Sequence, residues 1–154
     1  MHRQTGTRTR MGLEARRLLA QHRKLDELYE AAVTTLIEEP RAKAERAFLR
    51  FREALDAHFS LEDEVYFPAL HGLRKDLGER LEHLSSEHER LRTKAGQLAE
   101  VLHNRPREIC LELLREISAA VSAHEEAEED LIGLFRDDPG KNGGRGSAAG
   151  GSPD

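Results

Sequence analysis

Two pairs of residues in this chain, each a histidine followed four residues later by a glutamate, have the spacing of metal ligands. The first pair is His58 and Glu62, and the second is His124 and Glu128. The second pair follows the first by sixty-six residues. If both stretches are helical, the two side chains of each pair lie one turn apart on the same face. Each pair could then hold one metal site between an imidazole and a carboxylate.

Four apolar seams in the sequence indicate the helices that would position these pairs. Each seam steps by four and three residues in alternation, which is typical of a helix in a bundle. The first two seams are Leu18, His22, Leu25, Tyr29, Ala32 and Leu36, then Ala44, Phe48, Phe51, Leu55, His58, Glu62, Val65 and Ala69. The other two are Leu84, His88, Leu91, Ala95, Leu98 and Leu102, then Cys110, Leu114, Ile117, Val121, His124, Glu128, Leu131 and Phe135.

The third and fourth seams are the first two shifted by sixty-six residues, and Pro106 stands sixty-six residues after Pro40. Proline suits the first turn of a helix and tends to end the helix before it. The sequence therefore predicts an all-α, up-down-up-down four-helix bundle built from a duplicated helical hairpin. Pro68 should kink or stop the second helix, and the segment 71–78, with a glycine near each end, should form the longest connection.

Six ionisable residues interrupt the apolar seams: His22, His58, Glu62, His88, His124 and Glu128. His22 and His58 lie eighteen residues on either side of Pro40, and His88 and His124 lie equally far from Pro106. At a rise of about 1.5 Å per residue, all four imidazoles stand ~27 Å from the hairpin turns. Antiparallel packing of the hairpins then gathers them, with both carboxylates, in one layer of the core. Buried carboxylates need compensation, and bundle cores commonly hold metal sites.

The ligand types indicate which metal this layer would take. Imidazole with carboxylate suits iron, and zinc or manganese is also compatible. The two glutamates could bridge two metal ions, with two imidazoles on each. About four protein ligands per ion leave positions for an oxo or hydroxo bridge and for an outside molecule such as O2, peroxide or NO, which indicates reactivity or sensing.

Composition narrows the remaining possibilities. A net charge of −5 argues against a nucleic-acid partner, and no apolar run approaches the ~20 residues of a membrane span. No signal peptide is evident, which predicts a cytoplasmic protein. The single cysteine, Cys110, excludes an internal disulfide and is expected in the core. Residues 1–10 are expected to form a flexible arm, residues 11–136 the bundle, and the Gly/Ser-rich residues 137–154 a disordered tail.

Over roughly residues 13–136 the chain resembles the hemerythrin-like, or HHE cation-binding, family. The resemblance rests on Gln21-His22-Arg23, on His58-x3-Glu62 followed by Val65-Tyr66-Phe67-Pro68, on Glu87-His88, and on His124-x3-Glu128. It implies a bundle around a non-haem di-iron centre. The oxygen-carrying hemerythrins have a second histidine four residues from the position of His88, where this chain has Leu84 and Arg92. They also have an aspartate at the position of Glu129.

This departure argues against reversible oxygen carriage. It places the chain in the broader branch of the family, which is linked to peroxide decomposition, to nitric oxide and iron–sulfur repair, or to iron sensing. Peroxidase-like, catalase-like or NO-related turnover is one expectation, although no general base or substrate pocket can be named. An iron or oxygen sensor whose fold depends on metal occupancy is an alternative, and a metal-free helical interaction module is a third. Glu125 or Tyr66 could add a ligand, while a solvated Glu125 and an interface Tyr66 are the simpler interpretations.

Overall fold

A computed structural model describes the backbone of residues 2–136 and the side chains of residues 12–134. The helices are α1 (His2–Glu38), α2 (Arg41–Leu61), α3 (Phe67–Leu73), α4 (Gly78–Val101) and α5 (Arg107–Arg136), with a π-helical turn at Glu62–Tyr66 and a 3-10 turn at Lys75–Leu77. Within the described backbone there is no strand. None of its helices is both long enough and apolar enough to cross a bilayer. The tail predicted for residues 137–154 and the side chain of Phe135 lie outside the described residues.

The two hairpins form where the prolines predict them. Pro40 precedes α2 and Pro106 precedes α5. The arginine after each proline ties its hairpin turn to the other one: Arg41 donates to the Leu102 carbonyl at 2.8 Å, and Arg107 donates to the Leu36 carbonyl. These two bonds are related by the same sixty-six-residue shift. Each guanidinium satisfies a carbonyl at a helix C-terminus, where a positive charge is favourable.

The long helices pack in a closed ring around one core. α1 lies against α2 and α5, and α4 lies against the same two helices. Two apolar clusters fill the interior, one on the side of the hairpin turns around Leu36, Phe51 and Leu98, the other toward the opposite end around Tyr66 and Leu81. Cys110 is buried in the first cluster. The predicted all-α four-helix bundle is confirmed.

The π-helical turn overturns two of the predicted core positions. The seam of the second helix predicts Val65 and Ala69 inside, but both are exposed, and Tyr66 and Leu70 are buried instead. In this turn the Phe67 amide donates to the carbonyl of Glu62, five residues back, so the helix gains one residue and every later side chain rotates by one position. Pro68, which lacks an amide hydrogen, follows directly, and the helix continues past it to Leu73.

Two boundaries also differ from the predictions. Helix α3 runs to Leu73 and α4 begins at Gly78, so the connection is shorter than the predicted segment 71–78 and is tightened by the 3-10 turn. At the N-terminus α1 begins at His2, within the predicted arm. Residues 2–10 contain no proline. Extending an existing helix by one residue costs less free energy than nucleating a new one, so α1 can continue into this segment.

Candidate metal centre

The six ionisable seam residues lie together between the two apolar clusters. His22 comes from α1, His58 from α2, His88 from α4, and His124 with Glu128 from α5; Glu62 opens the π-helical turn. Each is at most 4% exposed. Their potential ligand atoms form two overlapping groups, within each of which the atoms lie no more than 4.8 Å apart. The structure thus brings every sequence-predicted site residue into one layer.

The first group contains His22, His58 and Glu128. Oε2 of Glu128 lies 3.0 Å from Nε2 of His22 and 3.6 Å from Nε2 of His58. Nε2 of His58 also lies 3.1 Å from Oε1 of Glu62. Helices α1, α2 and α5 therefore direct two imidazole nitrogens and a carboxylate oxygen toward one point.

The second group contains His88, His124, Glu62 and Glu128. Here the other oxygen of Glu128, Oε1, lies 2.5 Å from Nε2 of His124 and 3.9 Å from Nε2 of His88. Oε1 of Glu62 lies 3.4 Å from Nε2 of His88 and 3.9 Å from Nε2 of His124. Each oxygen of Glu128 thus faces a different pair of histidines.

Spacing within the second group fits a metal ion. Nε2 of His88 and Nε2 of His124 lie 2.9 Å from each other. With metal–nitrogen bonds of about 2.0–2.1 Å, two ligand nitrogens at a right angle would be about 3 Å apart. The donor set of imidazoles and carboxylates suits iron, manganese or zinc. The residues present therefore fit the metal centre that their types predict.

Several inward-facing atoms of this layer are left without a hydrogen-bond partner. They are Nε2 of His58, both carboxylate oxygens of Glu62 and Oε1 of Glu128, all of them buried. The close approach of Glu128 Oε1 to His124 is too poorly aligned to count as a hydrogen bond. Buried polar atoms are normally satisfied, and an unpaired buried carboxylate is strongly destabilising. Cations at the two points would satisfy these atoms together.

The Nδ1 atoms of the four imidazoles, which face away from the centre, all have a hydrogen-bond partner. Nδ1 of His58 lies 2.6 Å from Gln21 Oε1, and Nδ1 of His124 lies 2.6 Å from Glu87 Oε2. The remaining two outer contacts are His88 Nδ1 to Asp63 Oδ1 at 3.0 Å and His22 Nδ1 to Glu129 Oε1 at 3.2 Å. Because each partner atom is an oxygen, each Nδ1 donates the hydrogen of its contact and Nε2 faces inward, which is the orientation of metal-ligating histidines.

The partners of Nδ1 are also related by the repeat. Glu87 follows Gln21 by sixty-six residues, and Glu129 follows Asp63 by the same number. The seam pattern predicts no role for any of them, although Gln21 and Glu87 directly precede His22 and His88. A comparison of the two repeats at positions next to the seam would have found them. Each outer partner lies on a different helix from the imidazole that it holds, so only the assembled bundle shows the contact.

We expect Glu87→Ala to weaken metal binding without removing a ligand. The substitution frees Nδ1 of His124, so the imidazole loses its fixed tautomer and orientation; loss of such a partner typically costs 10–100-fold in metal affinity. Competition with a chelator of known affinity measures the change. Glu126→Ala, an exposed glutamate on α5, is the matched control. Equal affinities for the two variants would contradict the assigned role of Glu87.

Electrostatics in the metal-free centre favour protonated imidazoles. Burial lowers the pKa of His58, but contacts with Glu128 and Glu62 outweigh it and raise that pKa to about 9. The same balance raises the pKa of His88 to about 9 and that of His124 to about 10, and it raises the pKa of His22. Burial also opposes ionisation of Glu128, yet contacts with Glu62 and with imidazoles hold its pKa well below the usual range. In the absence of metal, protons on the imidazoles supply the positive charge of the centre.

Two phenylalanines enclose the second group. Phe59 stacks on the His88 ring with centroids 4.2 Å apart, and Phe67 stacks on the same ring at 5.6 Å. The π-helical turn helps to place Phe67, which follows it directly. Neither residue is in a predicted seam. The two rings fix the His88 imidazole and shield that side of the centre from water.

The other candidate residues lie in different surroundings. Tyr66 is buried in the second apolar cluster, where burial and a contact with Glu14 raise its pKa to about 12. Glu125 is partly buried, with His22 and His58 of the first group among its charged neighbours. His71, His83 and His103, which lie outside the four seams, are exposed. The side chain of His2 is outside the described residues.

Fold and site together define an all-α bundle protein with a buried histidine–glutamate metal centre. The family model of the hemerythrin HHE cation-binding domain matches residues 14–135. This chain belongs to the hemerythrin HHE cation-binding family. Searches of curated proteins and of solved structures found no match. Family membership and the histidine–glutamate cluster both indicate a metal-binding protein.

Proposed function

We propose that this protein holds two non-haem iron ions, one in each of the two ligand groups, and that it binds or reacts with a small oxidant such as O2, peroxide or NO. The observation that carries the proposal is the orientation of the four imidazoles. Each has Nδ1 tied to an outer oxygen and Nε2 directed at a glutamate shared by both groups. An iron centre would supply redox chemistry at this point.

The protein's own residues would orient and shield this chemistry. Gln21, Glu87, Asp63 and Glu129 hold the imidazoles, and Phe59 with Phe67 excludes water from one side. The second group has four protein donors and the first has three. Metal ions held by so few protein donors would keep positions for an outside molecule, which supports reactivity. A cytoplasmic role in oxidative or nitrosative stress or in iron homeostasis is part of this proposal.

Metal analysis of purified protein, together with its absorption spectrum before and after peroxide, tests the proposal. We expect two iron ions per chain and near-ultraviolet and visible bands that change when peroxide is added. Repeated consumption of peroxide by the iron-loaded protein would place the activity among peroxidase-like or catalase-like reactions. Iron-loaded protein whose spectrum responds to none of O2, peroxide and NO would contradict the proposed reactivity.

A second candidate is an iron or oxygen sensor, which the unpaired buried atoms of the metal-free centre favour. Both oxygens of Glu62 lack partners there, so metal removal should weaken the fold, since ligand binding and folding are coupled. A chelator that unfolds the bundle, in a protein that does not consume peroxide, would support this function over the first.

A further inference from the structure

The two halves of the centre differ at one position of the repeat. Phe59 in the first hairpin corresponds to Glu125 in the second, sixty-six residues later. Phe59 is 1% exposed and stacks on His88 of the second group. At the corresponding position beside the first group the chain has a carboxylate instead of an aromatic ring.

Glu125 lies among charged groups of the first half. Its charged neighbours are His22 and His58 together with the carboxylates Asp26 and Glu128. One turn further along α5, Glu129 contacts Nδ1 of His22, so this face of α5 is turned toward α1. Oε1 of Glu125 is buried and has no hydrogen-bond partner.

Ligand counts in the two groups give this carboxylate a role. The second group offers four ligand residues, whereas the first offers only His22, His58 and Glu128. The first group is therefore one ligand short of the second. Glu125, the neighbour of His124 on α5, has an unpaired buried oxygen that lies outside the 4.8 Å group, so coordination would require its side chain to turn toward His22 and His58. A metal ion at the first position would give that buried oxygen the partner that it lacks.

We infer that Glu125 is the additional ligand of the metal ion held by His22 and His58, so that the two metal positions are chemically unequal. This inference rests on the proposed two-metal centre. With Glu125 added to His22, His58 and Glu128, the first position has two carboxylates and two imidazoles as ligands. The second position is instead shielded by Phe59, the residue that replaces the extra carboxylate in the first repeat.

Stepwise binding of Fe2+ under anaerobic conditions to metal-free protein tests the inference. Glu125→Gln keeps the size of the side chain but removes its negative charge, so we expect one of the two Fe2+ ions to bind at least about tenfold more weakly and the other to be unchanged. Glu126→Gln makes the same change at the neighbouring exposed position and should bind both ions as the unchanged protein does. Iron content after desalting provides a second readout.

The outcomes separate this inference from the proposed function. If the unchanged protein binds no Fe2+, the proposed function fails. If it binds two ions and Glu125→Gln binds both with the same affinities, or loses both together, the inference is wrong and the two-metal centre stands. The unfolding midpoint of the metal-free Glu125→Gln variant provides the structural control. An isosteric neutral residue should leave this midpoint unchanged or raise it. A lowered midpoint with both affinities intact would show a structural role and overturn the inference.

Discussion

Glu128→Ala is expected to remove both metal ions from the protein. Its Oε2 faces His22 and His58 while its Oε1 faces His124, so one substitution takes a ligand from each position. Loss of an outer partner alone costs 10–100-fold in affinity, so loss of the shared ligand should exceed about 100-fold at both positions. Elemental analysis after desalting measures the result.

Companion variants separate loss of the site from loss of the fold. Glu128→Gln preserves the shape of the side chain, and circular dichroism of the metal-free variants reports whether the bundle has formed. His58→Ala and Glu62→Ala should also lower metal content sharply. His83→Ala should not, because this histidine is exposed and reaches the centre only through Glu87. Equal iron content in all of these variants would contradict the ligand assignment.

Metal-free protein is expected to lose stability as the pH rises from about 6.5 to 9, by several kcal/mol in total. Contacts with buried glutamates outweigh burial and raise the pKa of His58 and of His88 to about 9 in the folded protein. A group whose pKa is raised by folding stabilises the fold fully below its unfolded pKa, near 6.5, and loses that contribution as the pH passes the folded value. Urea unfolding of chelator-treated protein at several pH values measures this.

Metal binding should show the opposite pH dependence. Below pH 9 the metal must displace protons from these imidazoles, so its apparent affinity should increase with pH across the same range. His83→Ala, which removes an exposed imidazole, should leave both trends unchanged. A metal-free stability that is constant or rises between pH 6.5 and 9 would show that the buried imidazoles are neutral in the folded state.

The bundle and its polar layer could be predicted from the sequence because they depend on periodicity. A seam of four-and-three steps, repeated after sixty-six residues, specifies which side chains point inward and at what height. His22, His58, His88 and His124 stand at equal distances from two prolines, and the structure places them in one layer. The height of these side chains depends on helical rise and chain position, not on how the helices pack in detail.

Sequence periodicity mispredicts the buried positions where the helix itself changes period. Val65 and Ala69 are inward positions of an ideal α-helix, but the π-helical turn before Pro68 moves Tyr66 and Leu70 into their places. No such turn interrupts α5, where Leu131, the counterpart of Val65, stays buried. The duplication therefore breaks down beyond the ligand layer.

Contacts between helices were the other feature that periodicity could not predict. Gln21 lies beside its own helix's seam, yet it holds His58 on the next helix, and Glu87 holds His124 in the same way. These contacts depend on the crossing geometry and on side-chain rotamers, which a helical period leaves open. The same holds for Glu125, whose unpaired oxygen is evident only in the folded chain.

Anomalous diffraction from crystals of metal-loaded protein tests the central claim most directly. We expect two metal peaks in the core, one beside Nε2 of His22 and His58 and the other beside Nε2 of His88 and His124, with Glu128 reaching both. Metal-loaded crystals with no peak within coordinating distance of these nitrogens, or with metal only at exposed residues such as His83, would contradict the account.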